Sequence, residues 1–91
     1  MTRFVSVTHT VHAVRWMGEI TPELQALVGG GEIEVKTSSP PFLVVANCVD
    51  TEGKRKLIPC GDWLYGTPGD VLWSSNDALF RAVYRPDVSA R

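Results

Sequence analysis

The sequence predicts a small α+β domain: a curled, mainly antiparallel sheet of about five to seven short strands, one early helix and a short C-terminal helix. Apolar and polar residues alternate at a period of two in several segments, and short turn-rich stretches separate them. Connections this short cannot form the crossovers of a parallel sheet. The length of 91 residues predicts a single domain, 1–91, with an ordered core over about residues 9–86.

The N-terminal part of the chain predicts a strand followed by the early helix. Residues 9–16 alternate and are rich in β-branched and aromatic side chains, which is typical of a strand. Thr21 is suited to cap a helix and Pro22 to occupy its first position, so we predict a helix over Pro22–Val28 that ends at Gly29. The apolar residues that share one face of this helix are Leu24, Leu27 and Val28. This face is expected to pack onto the sheet.

The middle of the chain predicts three further strands. Residues 32–37 alternate as in a strand with one solvated face. Residues 42–49 form the most continuously apolar segment, and residues 54–58 return beside it after a turn over residues 50–53. We expect this hairpin to form the centre of the sheet.

The C-terminal part predicts a second hairpin, the short helix and a last strand. The two strands of this hairpin are residues 62–65 and 71–73. Either Ser74 or Ser75 is suited to cap a helix of one to two turns that ends at Phe80. Residues 81–85 then alternate, which predicts a final strand.

The charge balance and the hydropathy pattern exclude several classes of protein. Nine Lys and Arg against ten Asp and Glu give a net charge of -1, which leaves too few uncompensated cations for many phosphate contacts, so nucleic acid ranks last among the partners. The longest uncharged apolar run, residues 42–46, is far shorter than a membrane span. The N-terminal residues lack the layout of a secretory signal. We therefore predict a cytoplasmic protein that contacts no membrane.

Residues that could carry out catalysis or bind a metal do not form a motif. His9 and His12 are three residues apart on a predicted strand, so their rings diverge. They are therefore poorly placed to join Cys48 and Cys60 in a zinc site. Both cysteines lie in apolar strand segments, where burial raises a thiol pKa. Asp62 follows a glycine at a corner, where a carboxylate accepts backbone hydrogen bonds. We predict no catalytic residue, no metal site and no cofactor.

Aromatic and arginine side chains stand out in so small a chain. Together they bind flat anionic ligands, with a ring stacked on the base and a guanidinium bound to phosphate. The same rings can instead form the core of a small domain, and the sequence leaves both interpretations open. For Trp63 we favour the core, because Leu64 alone would give the inward face of its strand too little apolar area. The predicted ligand-binding residues are Arg15, Trp16, Tyr65, Trp73, Arg81 and Arg85.

Three short motifs resemble those of a known group of proteins. Residues 11–18 end in Trp-Met-Gly, residues 61–64 read Gly-Asp-Trp-Leu, and residues 80–84 read Phe-Arg-Ala-Val-Tyr. In this order the chain resembles a widespread family of small, uncharacterised bacteriophage and prophage proteins, with an early aromatic-Gly strand end, a Gly-Asp-aromatic turn and a closing Phe-x-x-x-Tyr. Where that family usually reads Gly-Glu-Phe-Tyr, this chain has Gly-Asp-Val-Leu-Trp at residues 69–73.

The resemblance implies a phage accessory protein in the host cytoplasm. The leading hypothesis is a non-enzymatic protein that counters host antiviral defence by binding and sequestering a nucleotide-type signal. The alternatives are an inhibitor that binds a host defence protein directly, or a minor virion or morphogenesis protein. A concave, arginine-lined pocket at a subunit interface favours the nucleotide, whereas an exposed apolar strand or hairpin favours the protein partner. We also expect a homo-oligomer, most simply a dimer that covers an apolar strand.

Overall fold

Two antiparallel sheets and two helices make up the computed structural model of the chain, which describes residues 2–5, 10–50 and 52–86. The elements are β1 (Thr2–Val5), β2 (Thr10–Arg15), α1 (Pro22–Val28), β3 (Ile33–Lys36), β4 (Phe42–Val45), β5 (Ile58–Pro59), β6 (Trp63–Gly66), β7 (Leu72–Ser75), α2 (Asp77–Val83) and β8 (Arg85–Pro86). The predicted α+β class is confirmed.

The strands are divided between the two sheets, whereas the sequence predicts one. A five-stranded sheet has the order β7-β6-β2-β1-β8, and a three-stranded sheet has the order β3-β4-β5. The division occurs after Pro59, the last residue of β5, because the chain turns at Gly61 with a φ of 99°. There the Gly61 N–H donates to the Trp16 carbonyl, and the Trp16 N–H donates to the Asp62 carbonyl. These bonds bring β6 beside β2 rather than β4.

Helix α1 forms over the residues that the sequence predicts. The Thr21 hydroxyl accepts a hydrogen bond from the Leu24 N–H at 3.2 Å, which satisfies one of the free donors of the first turn. Gly29 ends the helix in the left-handed conformation, with a φ of 70°. The three residues of the predicted apolar face are buried in the core: Leu24, Leu27 and Val28.

The N-terminal strand β1 lies outside the ordered core that the sequence predicts. It pairs antiparallel with β2, and Phe4 is only 8% exposed because it packs on Ala13 and Phe80. Burial of this ring and pairing with β2 together hold the segment in the sheet. The predicted first-strand residue His9 and the predicted chain end, residues 87–91, lie outside the described residues.

The predicted C-terminal helix and last strand are wrong in their bounds. Ser75 is still paired with Trp63 in β7, so the cap is Asn76, whose side-chain oxygen accepts from the Leu79 N–H at 2.8 Å. Residues 81–83, predicted as strand, continue α2, and only Arg85–Pro86 is extended.

The central hairpin is also shorter than predicted. Strand β4 ends at Val45 rather than at residue 49, and its partner β5 has two residues. Beyond them, Val49 and Arg55 form an isolated bridge. The prediction that the hairpin lies at the centre of the sheet holds only for β4, the central strand of the three-stranded sheet, because β5 lies at the edge of that sheet.

Both faces of the five-stranded sheet are covered, and this arrangement positions the candidate site. The inner face packs on α1 and the three-stranded sheet and includes Leu64 and Leu72. The outer face packs on α2 and includes Phe4, Ala13 and Trp63. The strands alternate between these two hydrophobic clusters, so a sheet with two apolar faces forms the middle layer of the molecule.

Candidate functional site

An open aromatic groove of about 260 Å³ lies on the outer face of the five-stranded sheet. Its walls are Val11 of β2, Tyr65 of β6, Trp73 of β7 and Tyr84, the residue that ends α2. Trp73 is 56% exposed. The groove therefore offers three rings around a depression in the surface, and one of these rings is largely free to contact a ligand.

Strand register brings the walls of the groove together. Tyr65 is paired with Ala13 on one side and with Trp73 on the other, so these three side chains share a row across the outer face. Val11 lies on the same face as Ala13, two residues away along β2. The groove is thus built on three adjacent strands and is closed at one end by α2.

Helix α2 is held on the sheet by a cluster of stacked rings. Phe80 is 1% exposed and its ring contacts four others: Phe4, Trp63, Tyr65 and Tyr84. The stack on Trp63 has a centroid distance of 4.6 Å and an interplanar angle of 12°. Spacing of four residues places Phe80 and Tyr84 on one side of the helix. Phe80 therefore fixes Tyr84 at the edge of the groove.

The two tyrosines of the groove differ in their surroundings: the Tyr65 hydroxyl is hydrogen-bonded, and the pKa of Tyr84 is raised. The Ser75 hydroxyl donates to the Tyr65 hydroxyl at 3.1 Å. The pKa of Tyr84 is raised, first by burial and second by the neighbouring Tyr65. Tyr84 is therefore a neutral phenol at neutral pH, and its hydroxyl is able to donate or accept a hydrogen bond at the rim.

The predicted arginines do not converge on the groove. Arg81 donates through Nε to Asp77 at 2.8 Å, and Arg15 lies 3.9 Å from the same carboxylate oxygen. Arg15 also donates to the Gly61 carbonyl at 2.9 Å. Arg85 is paired with Val5, which lies on the opposite side of β1 from Phe4, so alternation directs it to the inner face. Among the described residues, the groove walls carry no charged group.

Trp16, predicted to bind ligand, is a core residue. It is 1% exposed and packs in the main cluster between α1 and the two sheets, where its indole donates to the Pro41 carbonyl at 3.4 Å. A small domain buries its largest rings first, because they contribute the most apolar area. Of the six predicted residues, Tyr65 and Trp73 line the groove. Val11 and Tyr84 were missed.

The sequence favours Trp63 over Leu64 for the inward face of its strand, but Leu64 is the residue that faces the main core, and Trp63 packs against the aromatic cluster on the outer face. Leu64 is fully buried in the main core, whereas Trp63 is half-buried on the other face. Both sides of β6 are therefore packed. The Trp63 indole donates to Asp77 at 2.8 Å, and the Arg15 guanidinium carbon lies 6.0 Å from its ring. This indole links the sheet to the start of α2.

The two cysteines and Asp62 are the other residues considered for chemistry. Cys48 and Cys60 are free thiols, and burial raises the pKa of Cys48, as the sequence predicts. Burial also raises the pKa of Asp62, against the opposing effect of Lys56 and Arg15. Within residues 2–5, 10–50 and 52–86, no group of three or more potential ligands is arranged to hold a metal ion.

The edge of β7, next to the groove, is covered by the chain itself. The Leu72 N–H donates to the Asn47 carbonyl at 2.8 Å, and the Lys56 ammonium donates to the Ser74 carbonyl at 3.5 Å. Leu72 and Ser74 are two residues apart, so both direct their main-chain groups away from β6. The groove is therefore bordered by a strand edge that is already hydrogen-bonded.

Comparison with known proteins yields no relative: no protein-family model, curated protein or solved structure matches the chain. Over the described part of the chain, the helices are too short and too polar to cross a bilayer.

Proposed function

We propose that this chain is a non-enzymatic binding protein that takes an apolar or aromatic group into the groove formed by Val11, Tyr65, Trp73 and Tyr84. The observation that carries the proposal is the groove itself, in which three rings surround a depression and Trp73 is 56% exposed. Exposed aromatic rings beside a depression are typical of binding anchors. On the phage resemblance, the bound molecule belongs to host antiviral defence.

The geometry supports a protein partner more strongly than a nucleotide-type signal. A volume of about 260 Å³ is below the roughly 300–1,000 Å³ of sites that enclose whole small ligands, but it suits one inserted side chain. A nucleotide also requires cations for its phosphates. Arg15 and Arg81 are engaged by Asp77, and Arg85 is directed to the inner face. A direct inhibitor of a defence protein is therefore the favoured form of the proposal, with nucleotide sequestration second.

A phage-protection assay with matched variants tests the proposal. Cells that carry an antiviral defence system are infected with a sensitive phage, with and without expression of the chain. Trp73→Ser should abolish protection of the phage while the melting temperature stays near that of the unsubstituted protein. Leu57→Ser is the control, because Leu57 is 59% exposed but lies beside the three-stranded sheet. Full protection by the Trp73→Ser protein would show that the groove is not the site.

Native mass spectrometry of the protein purified from the same cells separates the two ligand classes. A complex with a defence protein that is lost in Trp73→Ser supports the favoured form. A retained mass of nucleotide size supports sequestration. Co-purification with phage particles and no effect on defence would instead support the virion alternative.

A further inference from the structure

The solvent side of α2 is mostly apolar, since Arg81 is the one charged residue among the five exposed residues of the helix. The other four, here named the α2 ridge, are Ala78, Leu79, Ala82 and Val83. Leu79 is 61% exposed and Val83 is 57% exposed. A surface helix normally carries charged or polar residues on its outer side. The charged residues of α2, all of whose positions are described, are Asp77 and Arg81, and these bind each other.

The α2 ridge continues onto β7. Arg81 lies on the flank of the helix that faces Arg15 of β2. Leu79 and Val83 are each two residues from Arg81, about 200° around the helix, so they lie towards the opposite flank. Because the strand order is β7-β6-β2, that flank faces β7. There, Trp73 is 56% exposed on the outer face, and Val71, the residue before β7, is 51% exposed.

We propose that a second copy of this chain packs on the α2 ridge to form a two-fold dimer. At the measured exposures, the side chains of Val71, Trp73, Leu79 and Val83 present roughly 400 Å² per copy, so pairing removes roughly 800 Å² of surface before the rim is added. This is below the roughly 1,000 Å² that a stable specific interface buries, so we expect a weak, concentration-dependent dimer. Ala78 and Ala82 leave room for two helices to approach closely.

Charge favours a second copy over an unrelated partner. The ridge has no charge that requires an opposite charge across the interface, so it is complementary to itself under two-fold symmetry. The whole chain has a net charge of -1, so two copies repel each other only weakly. Pairing through the β7 edge is disfavoured, since Asn47 and Lys56 already bind two of its main-chain groups, the Leu72 N–H and the Ser74 carbonyl. We therefore expect the two copies to associate by packing the side chains of their ridges against each other.

Sedimentation equilibrium over a range of concentrations tests the dimer. The mass should rise from 10.0 kDa towards twice that value, with a dissociation constant on the order of micromolar. Leu79→Glu places two like charges across the two-fold axis and should raise the dissociation constant by about tenfold or more. Leu57→Glu is the matched control, because it adds the same charge at an equally exposed site away from the ridge.

A second variant keeps the test informative if the Leu79→Glu protein does not fold. Ala82→Arg keeps a strong helix-forming residue and should also prevent pairing, and circular dichroism shows whether each variant keeps its structure. A mass of 10.0 kDa at the highest concentration overturns the proposal, as does equal weakening by Leu57→Glu. Trp73 belongs both to the groove and to the surface that the dimer covers, so a second copy and a defence protein would compete for it. The experiment uses the purified protein alone, so its outcome does not depend on whether the groove binds a defence protein.

Discussion

Replacement of Phe80 by alanine should detach α2 from the sheet. Phe80 is the buried residue of α2 and contacts four rings with centroid distances of 4.6–5.2 Å. Truncation of a fully buried Phe costs about 3–5 kcal/mol, because apolar contact is lost and a cavity remains. A domain of this length has roughly 5–14 kcal/mol of stability in total. The Phe80→Ala protein should therefore be marginally stable, and the groove should lose its Tyr84 wall.

Urea unfolding followed by circular dichroism measures this loss of stability. The matched control is Leu57→Ala, away from α2 and from the α2 ridge, where Leu57 is 59% exposed. An exposed substitution of this kind changes stability by about 0.5 kcal/mol or less. The thermal midpoint of Phe80→Ala should fall by at least about 12 °C at this chain length. If the two variants lose similar stability, or Phe80→Ala loses less than about 1 kcal/mol, the aromatic cluster does not anchor α2.

Two further substitutions test the start of α2 and a close backbone contact. Hydrogen bonds from Trp63 and Arg81 hold the pKa of Asp77 below its ordinary value. This stabilisation is present above the unfolded pKa of about 3.9 and is lost as the pH falls through the lower folded pKa. Trp63→Phe removes one donor, so urea midpoints measured from about pH 5 to pH 2 should fall less steeply than in the unsubstituted protein. Gly29→Ala should destabilise by about 2 kcal/mol or more, because its Cβ would lie 2.5 Å from the Gly69 Cα. Gly30→Ala has a similar φ but open space, and thermal melts should show a smaller loss.

Local sequence signals predict the elements that depend on local chemistry. The bounds of α1 follow from Thr21, Pro22 and Gly29, each of which acts on the backbone within one turn. The bounds of α2 could not be obtained in this way. Ser75 is a good helix cap, but pairing with Trp63 keeps it in β7, and this long-range contact is absent from local pattern. The apolar pattern over residues 81–85 fits both the two-residue period of a strand and the 3.6-residue period of a helix. The four-residue spacing between Phe80 and Tyr84 is the signal that would have favoured a helix.

The candidate site was predicted in part for a similar reason. Alternation correctly places Tyr65 on one side of its strand, and pairing in the second hairpin brings Trp73 beside it. The burial of Trp16 depends on how α1 and the second sheet pack over it, which composition does not reveal. The three arginines were assigned to the site because of their side-chain type alone. In the structure, Asp77 sets the positions of Arg15 and Arg81, and the register of β8 sets that of Arg85.

The covered edge of β7 has a consequence for how this surface can change over evolutionary time. An edge strand with a large exposed apolar ring is ordinarily a template for fibrous aggregation. Here the carbonyl of Asn47 and the ammonium of Lys56 already bind two of its main-chain groups, the Leu72 N–H and the Ser74 carbonyl. The side chains at positions 71 and 73 can therefore vary without opening the ladder to other chains. The fold and the surface of the groove can thus change independently of each other.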